Sequence, residues 1–246
     1  MVKLILFNSD MVRAILEGRK TVTRRVIKNT DDSMYAGLCG FGPGLFSEKT
    51  GLRVKEPYYR LGDILYVRET WNQLARVDEN GYTHYNDLFY VYKADKNQPD
   101  LYDDNGFYLD DTERKWHPSI HMPKEAARIW LQVTDVRAER LHDLTNRDAK
   151  KEGITVETDN SGIAHRAAFM RLWDSTIKKS DIGTYGWNAN PWVWVIEFER
   201  CEKPEPCILR GVEPAEEKRP CIGYGDAWAD EPCEMCKGCS QCTGND

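Results

Sequence analysis

The 246-residue chain carries 40 acidic and 34 basic side chains, a formal net charge of −6 at pH 7, and 41% of its residues are hydrophobic. Such a chain can bury one sizeable core, and its acidic balance excludes a protein that coats nucleic acid over its whole surface, because that binding needs clustered Lys and Arg. The sequence shows no apolar run of about 18 residues and no signal-peptide pattern, so we expect no membrane contact and a cytoplasmic location. Its eight cysteines would then be thiols or metal ligands.

The beginning of the chain predicts a strand, a helix and a second strand. A short apolar run, VKLILFN, is typical of a buried strand, and Ser9 is expected to cap a helix through DMVRAILEG that Gly18 ends. The β-branched stretch KTVTRRVI then predicts a strand. A group of basic residues therefore lies at the junction between the helix and the strand. Residues 29 to 60, which include GLCGFGPGLF, are interpreted as a long glycine-rich insertion.

The rest of the chain predicts more strands than helices. Strands are expected in LGDILYVRETW, LFYVYKAD, RIWLQVTDVRAERL and PWVWVIEFER. Two helices are expected, LTNRDAKKEG with Thr145 as N-cap and Asp148 at its third position, and the amphipathic AHRAAFMRLWDSTI. Because the strands are mostly joined through loops, the pattern predicts an α+β fold. We expect a closed or partly closed β-barrel with flanking helices and long loop insertions at 29 to 60 and 72 to 118.

A motif at the first helix-to-strand junction carries a family resemblance. Gly18, Lys20, Thr23 and Arg25 give the pattern G-x-K-x-x-T-x-R, which is similar to the signature of the ASCH domain, a PUA-like barrel. The segments GDILYVRETW, IHMPKEAARIWLQVTDV, LTNRDAKKEGI and YGWNANPWVWVIEFE resemble, in this order, the long ASCH proteins of phages and prophages. The likeness covers roughly residues 2 to 200. We therefore expect an ASCH domain at 1–200, a linker with a Cys-rich tail at 201–246, and, for a phage protein, the host cytoplasm as its location.

The resemblance implies a cleft for a nucleotide or nucleic acid. In small bacterial relatives it implies an amidohydrolase that removes acetyl from N(4)-acetylcytidine. By similarity, Lys20 would take a proton from Thr23 or a water beside it, Glu152 would donate a proton to the leaving amine, and Arg25 would bind phosphate or steady the oxyanion. No cofactor is implied for this domain.

The charges around Lys20 support its assignment as a base. Arg19, Arg24 and Arg25 disfavour a further positive charge, and burial in a cleft would lower the pKa of Lys20 further. We expect these three arginines to be ligand contacts. The alternative is a solvated basic face that pairs with some of the 40 acidic residues.

Aromatic residues beside polar ones form a second candidate group. Arg68 and Glu69 precede Trp71, and one loop carries Trp187, Asn188 and Asn190. Ring stacking combined with an amide that reads a base edge is a common way to hold a nucleotide, so these six residues predict a base pocket. The alternative is that Trp71 and Trp192 belong to the core, whereas Trp187 is better placed for stacking because it lies on a glycine-led loop.

The end of the chain has metal-ligand spacing. Cys233, Cys236, Cys239 and Cys242 are each separated by two residues, which suits a single soft metal ion, and zinc is our expectation. Cys221 could replace one of the four, because two pairs joined by a longer loop form a tetrahedron more easily. The alternative is a tail whose cysteines bind no metal.

These residues and the resemblance leave three functions open. The first is a hydrolase of a modified nucleoside, which Thr23 favours because many ASCH sequences carry glutamate there. The second is a non-catalytic binder of RNA or modified DNA that uses Arg25, Arg68 and the tryptophans. The third is RNA cleavage through Lys20 and the arginines. The expected partners are therefore RNA, a nucleoside or modified nucleic acid.

Overall fold

A computed structural model describes residues 1–39, 42–78, 82–99, 101–102, 108–109, 115–156 and 164–205. By its internal contacts the chain divides into two units, Met1–Pro204 and Glu205–Asp246. The predictions for Cys221 and for the four tail cysteines fall outside the described residues, so they stay predictions.

The described chain is α+β, as predicted. The strands are β1 Val2–Leu6, β2 Val22–Val26, β3 Met34–Cys39, β4 Gly42–Ser47, β5 Arg53–Lys55, β6 Ile64–Arg68, β7 Trp71–Val77, β8 Thr83–Tyr92, β9 Leu101–Tyr102, β10 Tyr108–Leu109, β11 Trp130–Arg140 and β12 Trp192–Cys201. The α-helices are α1 Ser9–Leu16, α2 Asn146–Lys151, α3 Ala164–Thr176 and α4 Ile182–Tyr185. Short 3-10 turns occupy Ser119–His121, Lys124–Ala126, Leu141–Asp143, Lys179–Asp181 and Trp187–Ala189. No helix within the described ranges is both long and apolar enough to cross a membrane.

A five-stranded sheet with the order β1-β6-β11-β12-β2 forms the centre of the fold. β1 and β6 are parallel, and the other neighbours are antiparallel. The longest pairing joins β11 to β12 from Trp130 opposite Cys201 to Arg140 opposite Trp192, with a bulge between Val133 and Asp135. β1 and β2 are the two edges, and no ladder joins them in the described part of the chain. The sheet is predicted correctly in its strands, while closure into a barrel stays a prediction.

Both faces of the central sheet are covered. On β12, Trp194 and Ile196 belong to a buried cluster with α1, whereas the alternating Val193 and Val195 belong to a second cluster with α3. A strand buried on both faces becomes apolar throughout instead of alternating, which explains the run WVWVI. This arrangement places α1 and α3 near β2, where the candidate site lies.

The segment at 29 to 60 corrects the prediction of a glycine-rich loop. It contains the antiparallel sheet β3-β4-β5. Gly37 lies against the Phe46 ring, where an added Cβ would meet ring carbons at 3.0 and 3.1 Å, and Gly44 leaves room for the Arg53 side chain. The glycines therefore permit close packing within strands. The segment at 72 to 118 likewise contains the hairpin β7-β8 and the pair β9-β10.

The capping residues predicted from the sequence are those observed, with one exception. The N-cap of α1 is Asn8 rather than the predicted Ser9, because the Asn8 side chain accepts a hydrogen bond from the Met11 amide at 2.9 Å. Gly18, at φ +73°, ends the helix as predicted. In α2, Thr145 and Asp148 form the predicted reciprocal capping box.

Candidate functional site

The junction after α1 brings Lys20 against the end of α2. Lys20 and Glu152 form an isolated antiparallel bridge, and the Thr21 amide donates to the Lys151 carbonyl at 2.8 Å. Gly153 makes this approach possible: its φ is +87°, and a Cβ there would lie 2.7 Å from the Ala14 Cβ and 3.0 Å from the Lys20 Cβ. Backbone contacts between distant parts of the chain therefore fix the relative position of Lys20 and Glu152.

The Lys20 amine donates three hydrogen bonds in a buried site. Its Nζ lies 2.6 Å from Glu152 Oε2, 3.2 Å from the Glu152 carbonyl and 2.7 Å from the Val22 carbonyl, and its side chain is 0% exposed. Burial lowers the pKa of the Lys20 amine, the Glu152 carboxylate opposes that change, and the Arg25 and Arg24 guanidinium groups add to it. A buried lysine with a lowered pKa can give up its proton more readily than an exposed one.

Arg24 and Arg25 lie side by side in β2 but have different surroundings. The Arg24 side chain is 1% exposed and reaches Glu152 Oε1 at 3.1 Å and Glu139 Oε2 at 3.5 Å. Arg25 is exposed, and its Nη2 donates to the Leu6 carbonyl at 2.8 Å. Consecutive strand residues project to opposite faces of a sheet, which accounts for the difference. Arg25 is thus the better placed of the two to contact a ligand.

A small cleft of about 70 Å³ opens beside these groups. Thr23, Arg24, Arg25 and Glu152 form its polar side. Thr23 is buried, and its hydroxyl makes no hydrogen bond to another described residue. The cleft therefore combines the predicted nucleophile, the predicted acid and two cations.

The other side of the cleft is mainly apolar, and the sequence did not mark it as part of a site. Its residues are Met11 from α1 and Phe169, Leu172, Trp173 and Thr176 from α3. An amphipathic helix predicts only that one face is buried, so the sequence held no signal that these residues line a cleft.

Arg19, predicted as a ligand contact, is held outside the cleft. Its guanidinium group binds Glu17 Oε2 and the Gly153 carbonyl. These contacts tie the end of α1 to the end of α2. In the structure Arg19 thus stabilises the junction that presents Lys20.

The second predicted group does not join the cleft. Glu69 is buried and bound by Arg128 at both carboxylate oxygens, at 2.9 and 3.1 Å, and burial raises its pKa while Arg128 opposes that shift. Arg68 donates to the Ile120 carbonyl at 2.9 Å. Trp71 packs against Tyr90 and His117. The structure thus places these residues in and around a separate apolar cluster at β6 to β8.

The loop before β12 has a packing role in this structure. Trp187 is buried against His142 and Phe169, with the Arg166 guanidinium 4.9 Å from its ring. Asn190, at φ 47°, accepts a hydrogen bond from the His142 amide at 2.8 Å. Asn188 is exposed. The Trp187 ring therefore lies in the core rather than on an open stacking surface.

A larger groove of about 350 Å³ lies elsewhere, between the loop after β2 and residues 184–191. Its one guanidinium, that of Arg140, is bound to Asp32 at 2.7 Å and stacked on Trp192 at 4.5 Å. None of the predicted site residues lines it. We place the candidate site in the smaller cleft because Thr23 and Glu152 line it and Lys20 binds Glu152.

No group of three or more His, Cys, Asp or Glu side chains suited to a metal ion occurs in the part of the chain that the structure describes. The predicted zinc site in the tail lies outside that part.

Comparison with known proteins finds a distant structural neighbour. No family model matches the chain, and no curated protein matches it. Among solved structures, the crystal structure of the ASCH domain from Lactobacillus crispatus JV V101 is 13% identical, with 81% of this chain and 79% of that chain covered and a TM-score of 0.32. That neighbour bears the name of the family that the sequence motifs resemble. The likeness is too distant to carry a conclusion about function.

Proposed function

We propose that the chain hydrolyses an amide on an N-acylated nucleoside or base, as the resemblance to N(4)-acetylcytidine amidohydrolases implies. One observation supports the proposal: Thr23 and Glu152 line the same cleft, and the buried Lys20 binds Glu152 although the two residues are 132 positions apart in the chain. A nucleophile, a base and an acid must act on one substrate, and the cleft shared by Thr23 and Glu152 together with the Lys20–Glu152 contact supports that arrangement.

The 2.6 Å hydrogen bond suggests how Lys20 becomes a base. Transfer of one proton from Lys20 Nζ to Glu152 Oε2 leaves a neutral amine and a neutral carboxylic acid. Burial favours the loss of this proton because it disfavours the charged form of Lys20. The same transfer prepares both partners for the roles that the resemblance implies.

The reaction then proceeds through Thr23. Its Oγ attacks the amide carbonyl carbon while Lys20 takes the hydroxyl proton, and Glu152 donates a proton to the leaving nitrogen as the C–N bond breaks. Water next attacks the acyl ester and gives its proton to the Glu152 carboxylate, and Lys20 returns a proton to Thr23 Oγ. The exposed Arg25 is assigned to the phosphate or to the developing oxyanion.

A second candidate is a non-catalytic binder of RNA or modified DNA, and the hydrogen bonds of Lys20 favour it. All three protons of a charged Lys20 are donated to acceptors, none of which is Thr23. Unless the proton moves to Glu152, the amine serves to hold the carboxylate and activates nothing. Turnover separates the two functions.

The test uses a panel of acylated nucleosides and short RNAs, followed by mass spectrometry. We expect deacylation by the wild type and a loss of about 100-fold or more in Lys20→Ala and Thr23→Val, since general-base steps contribute about 10²–10⁴-fold. Lys28→Ala is the matched control, because Lys28 is an exposed lysine of the same basic stretch. Ligand binding without turnover would replace the hydrolase by the binder, and shortened RNA would indicate a ribonuclease.

A further inference from the structure

The Glu152 carboxylate is held by two different cations. Lys20 binds Oε2 at 2.6 Å, and Arg24 binds Oε1 at 3.1 Å. With one partner at each oxygen, the carboxylate cannot rotate without breaking a buried contact. Arg24 therefore also determines which carboxylate oxygen of Glu152 faces Lys20.

Arg24 is itself held by a chain of charges that the sequence did not reveal. Its Nη2 lies 3.5 Å from Glu139 Oε2, and the other oxygen of Glu139 accepts from Arg137 Nε at 2.5 Å. Arg137 also binds Glu197 at 2.8 Å, and Glu197 lies 3.5 Å from Lys151, the residue before Glu152. Charges of alternating sign thus run from β2 through β11 and β12 and return to the end of α2.

We propose that Arg24 and Glu139 are positioning residues of the cleft: Arg24 holds Oε1 of Glu152 so that Oε2 faces Lys20, and Glu139 holds Arg24 in that place. The effect on turnover rests on the proposed function. The effect on the Lys20–Glu152 pair does not.

The burial of Arg24 supports a positioning role over ligand contact. Its side chain is 1% exposed, whereas Arg25 beside it is exposed and has no carboxylate partner among the described residues. The Nε of Arg24 is also buried and makes no hydrogen bond within the described chain. A buried donor without a partner costs about 1–3 kcal/mol, so packing alone gives no reason for an arginine here.

The charges around Lys20 predict how the loss of Arg24 or of Glu139 changes its titration. The positive charge of Arg24 disfavours the charged form of Lys20, and the negative charge of Glu139 partly offsets Arg24. The charged groups that face Lys20 or Arg24 come from three elements: Glu152 and Asp148 from the α2 segment, Arg24 and Arg25 from β2, and Glu139 from β11. Removal of Arg24 should therefore raise the Lys20 titration midpoint. If Glu139 only offset the charge of Arg24, its neutralisation would lower the midpoint, but if Glu139 holds Arg24 in place, its neutralisation should raise the midpoint as well.

The experiment follows Lys20 directly by NMR of ¹³C-labelled lysine, with its signal assigned by its loss in Lys20→Met. We expect Arg24→Met and Glu139→Gln both to raise the midpoint, with the smaller change in Glu139→Gln. Asp135→Asn is the matched control, because Asp135 binds the same Arg137 at 2.7 Å and has no contact with Arg24. A lowered midpoint in Glu139→Gln, or equal shifts for Glu139→Gln and Asp135→Asn, would overturn the positioning role.

Kinetics provide a second readout if the wild type is active. Glu139→Gln should lower kcat about tenfold and leave KM within about twofold, because a positioning residue does not touch the substrate. Arg24→Lys should recover part of the activity lost in Arg24→Met, since lysine keeps the charge and one contact. An inactive wild type would reject the proposed function only, and the NMR titration would still decide the positioning role. If Arg24→Met fails to fold, Glu139→Gln carries the test.

Discussion

Lys20 Nζ and Glu152 Oε2 lie 2.6 Å apart, and their side chains are 0% and 5% exposed. Removal of Lys20 leaves the buried Glu152 carboxylate with Arg24 as its remaining cation, and breaking a buried pair in this way costs up to about 3–5 kcal/mol. We expect Lys20→Met to lower the free energy of unfolding by about that amount in urea titrations.

The double variant Lys20→Met/Glu152→Leu is the check on this interpretation. It should regain part of the loss, because Lys20 and Glu152 are removed together while the buried Arg24 keeps Glu139 as its carboxylate partner. Losses that simply add would mean that the two side chains stabilise the fold independently.

Gly153 and Gly18 offer a matched pair of glycine substitutions. Both have positive φ, +87° and +73°, but a Cβ at Gly153 would meet Ala14 and Lys20 carbons at 2.7 and 3.0 Å, while nothing lies within 4 Å at Gly18. Gly18→Ala should cost only about 1 kcal/mol for the left-handed backbone. Gly153→Ala should cost clearly more, and it should also lower turnover because it pushes α2 away from Lys20. Equal losses in thermal unfolding would show that the Lys20 junction tolerates the methyl group.

Asp63 predicts a pH dependence of stability. Burial acts to raise its pKa, but hydrogen bonds from Lys3, the Arg60 amide and the chain's amino group outweigh burial and hold the pKa below its ordinary value. As the pH falls, the unfolded chain takes up this proton first. The contribution of Asp63 is therefore complete above about pH 4 and is lost as the pH falls through the folded pKa.

The variant Asp63→Asn tests that dependence. It should be less stable than the wild type by about 1–3 kcal/mol at pH 7 and should approach it below about pH 4. Asp10→Asn is the control, since the Asp10 carboxylate is 90% exposed, and it should change stability by less than about 0.5 kcal/mol. A difference that stays constant from pH 7 to pH 3 would contradict the assignment.

Arg25 predicts salt-dependent binding. If the ligand carries phosphate, affinity should fall with rising salt, and Arg25→Gln should reduce the slope of log K against log salt by about one unit for a duplex-like ligand. Lys28→Gln serves as the control for loss of one positive charge in the same stretch. An affinity that does not depend on the salt concentration would indicate a neutral nucleoside as the ligand.

The spacing of the cysteines in the tail predicts a zinc site. Four thiolates at Cys233, Cys236, Cys239 and Cys242 should bind about one zinc per chain, with an affinity that falls as the pH drops, because coordination requires deprotonated thiols. Metal analysis of protein purified under reducing conditions should show the metal in the wild type and its loss in Cys236→Ser. If the thiols react freely and no metal is found, the prediction that the tail binds zinc is wrong.

Much of the fold follows from local sequence signals. The end of α1 at Gly18, the capping box of Thr145 and Asp148, and the apolar strand at Trp192 are all visible as short patterns. The sheet β3-β4-β5 was missed because Gly37 and Gly44 replace side chains that would have shown a strand's alternation. Only the neighbouring Phe46 and Arg53 explain why glycine is suitable there.

The site was only partly accessible from the sequence. The motif resemblance brought Lys20 and Glu152 together, and strand alternation explains why Arg24 and Arg25 differ. Glu139 gave no signal, because its approach to Arg24 depends on β12 lying between β11 and β2. The burial of Trp187 was equally hidden, since its partner Phe169 lies on another element.

The strand order also determines when the cleft can form during protein synthesis. In the central sheet β2 has β12 as its neighbour, so Val22 to Val26 find their ladder only after Trp192 to Cys201 have been made. At roughly 5–20 residues per second, the ribosome needs about 10–40 s between the two strands. Through that interval the nascent chain carries Thr23 and Arg25 on a segment that lacks its native ladder. A chain interrupted before Trp192 would therefore contain every residue assigned to catalysis and still have no cleft.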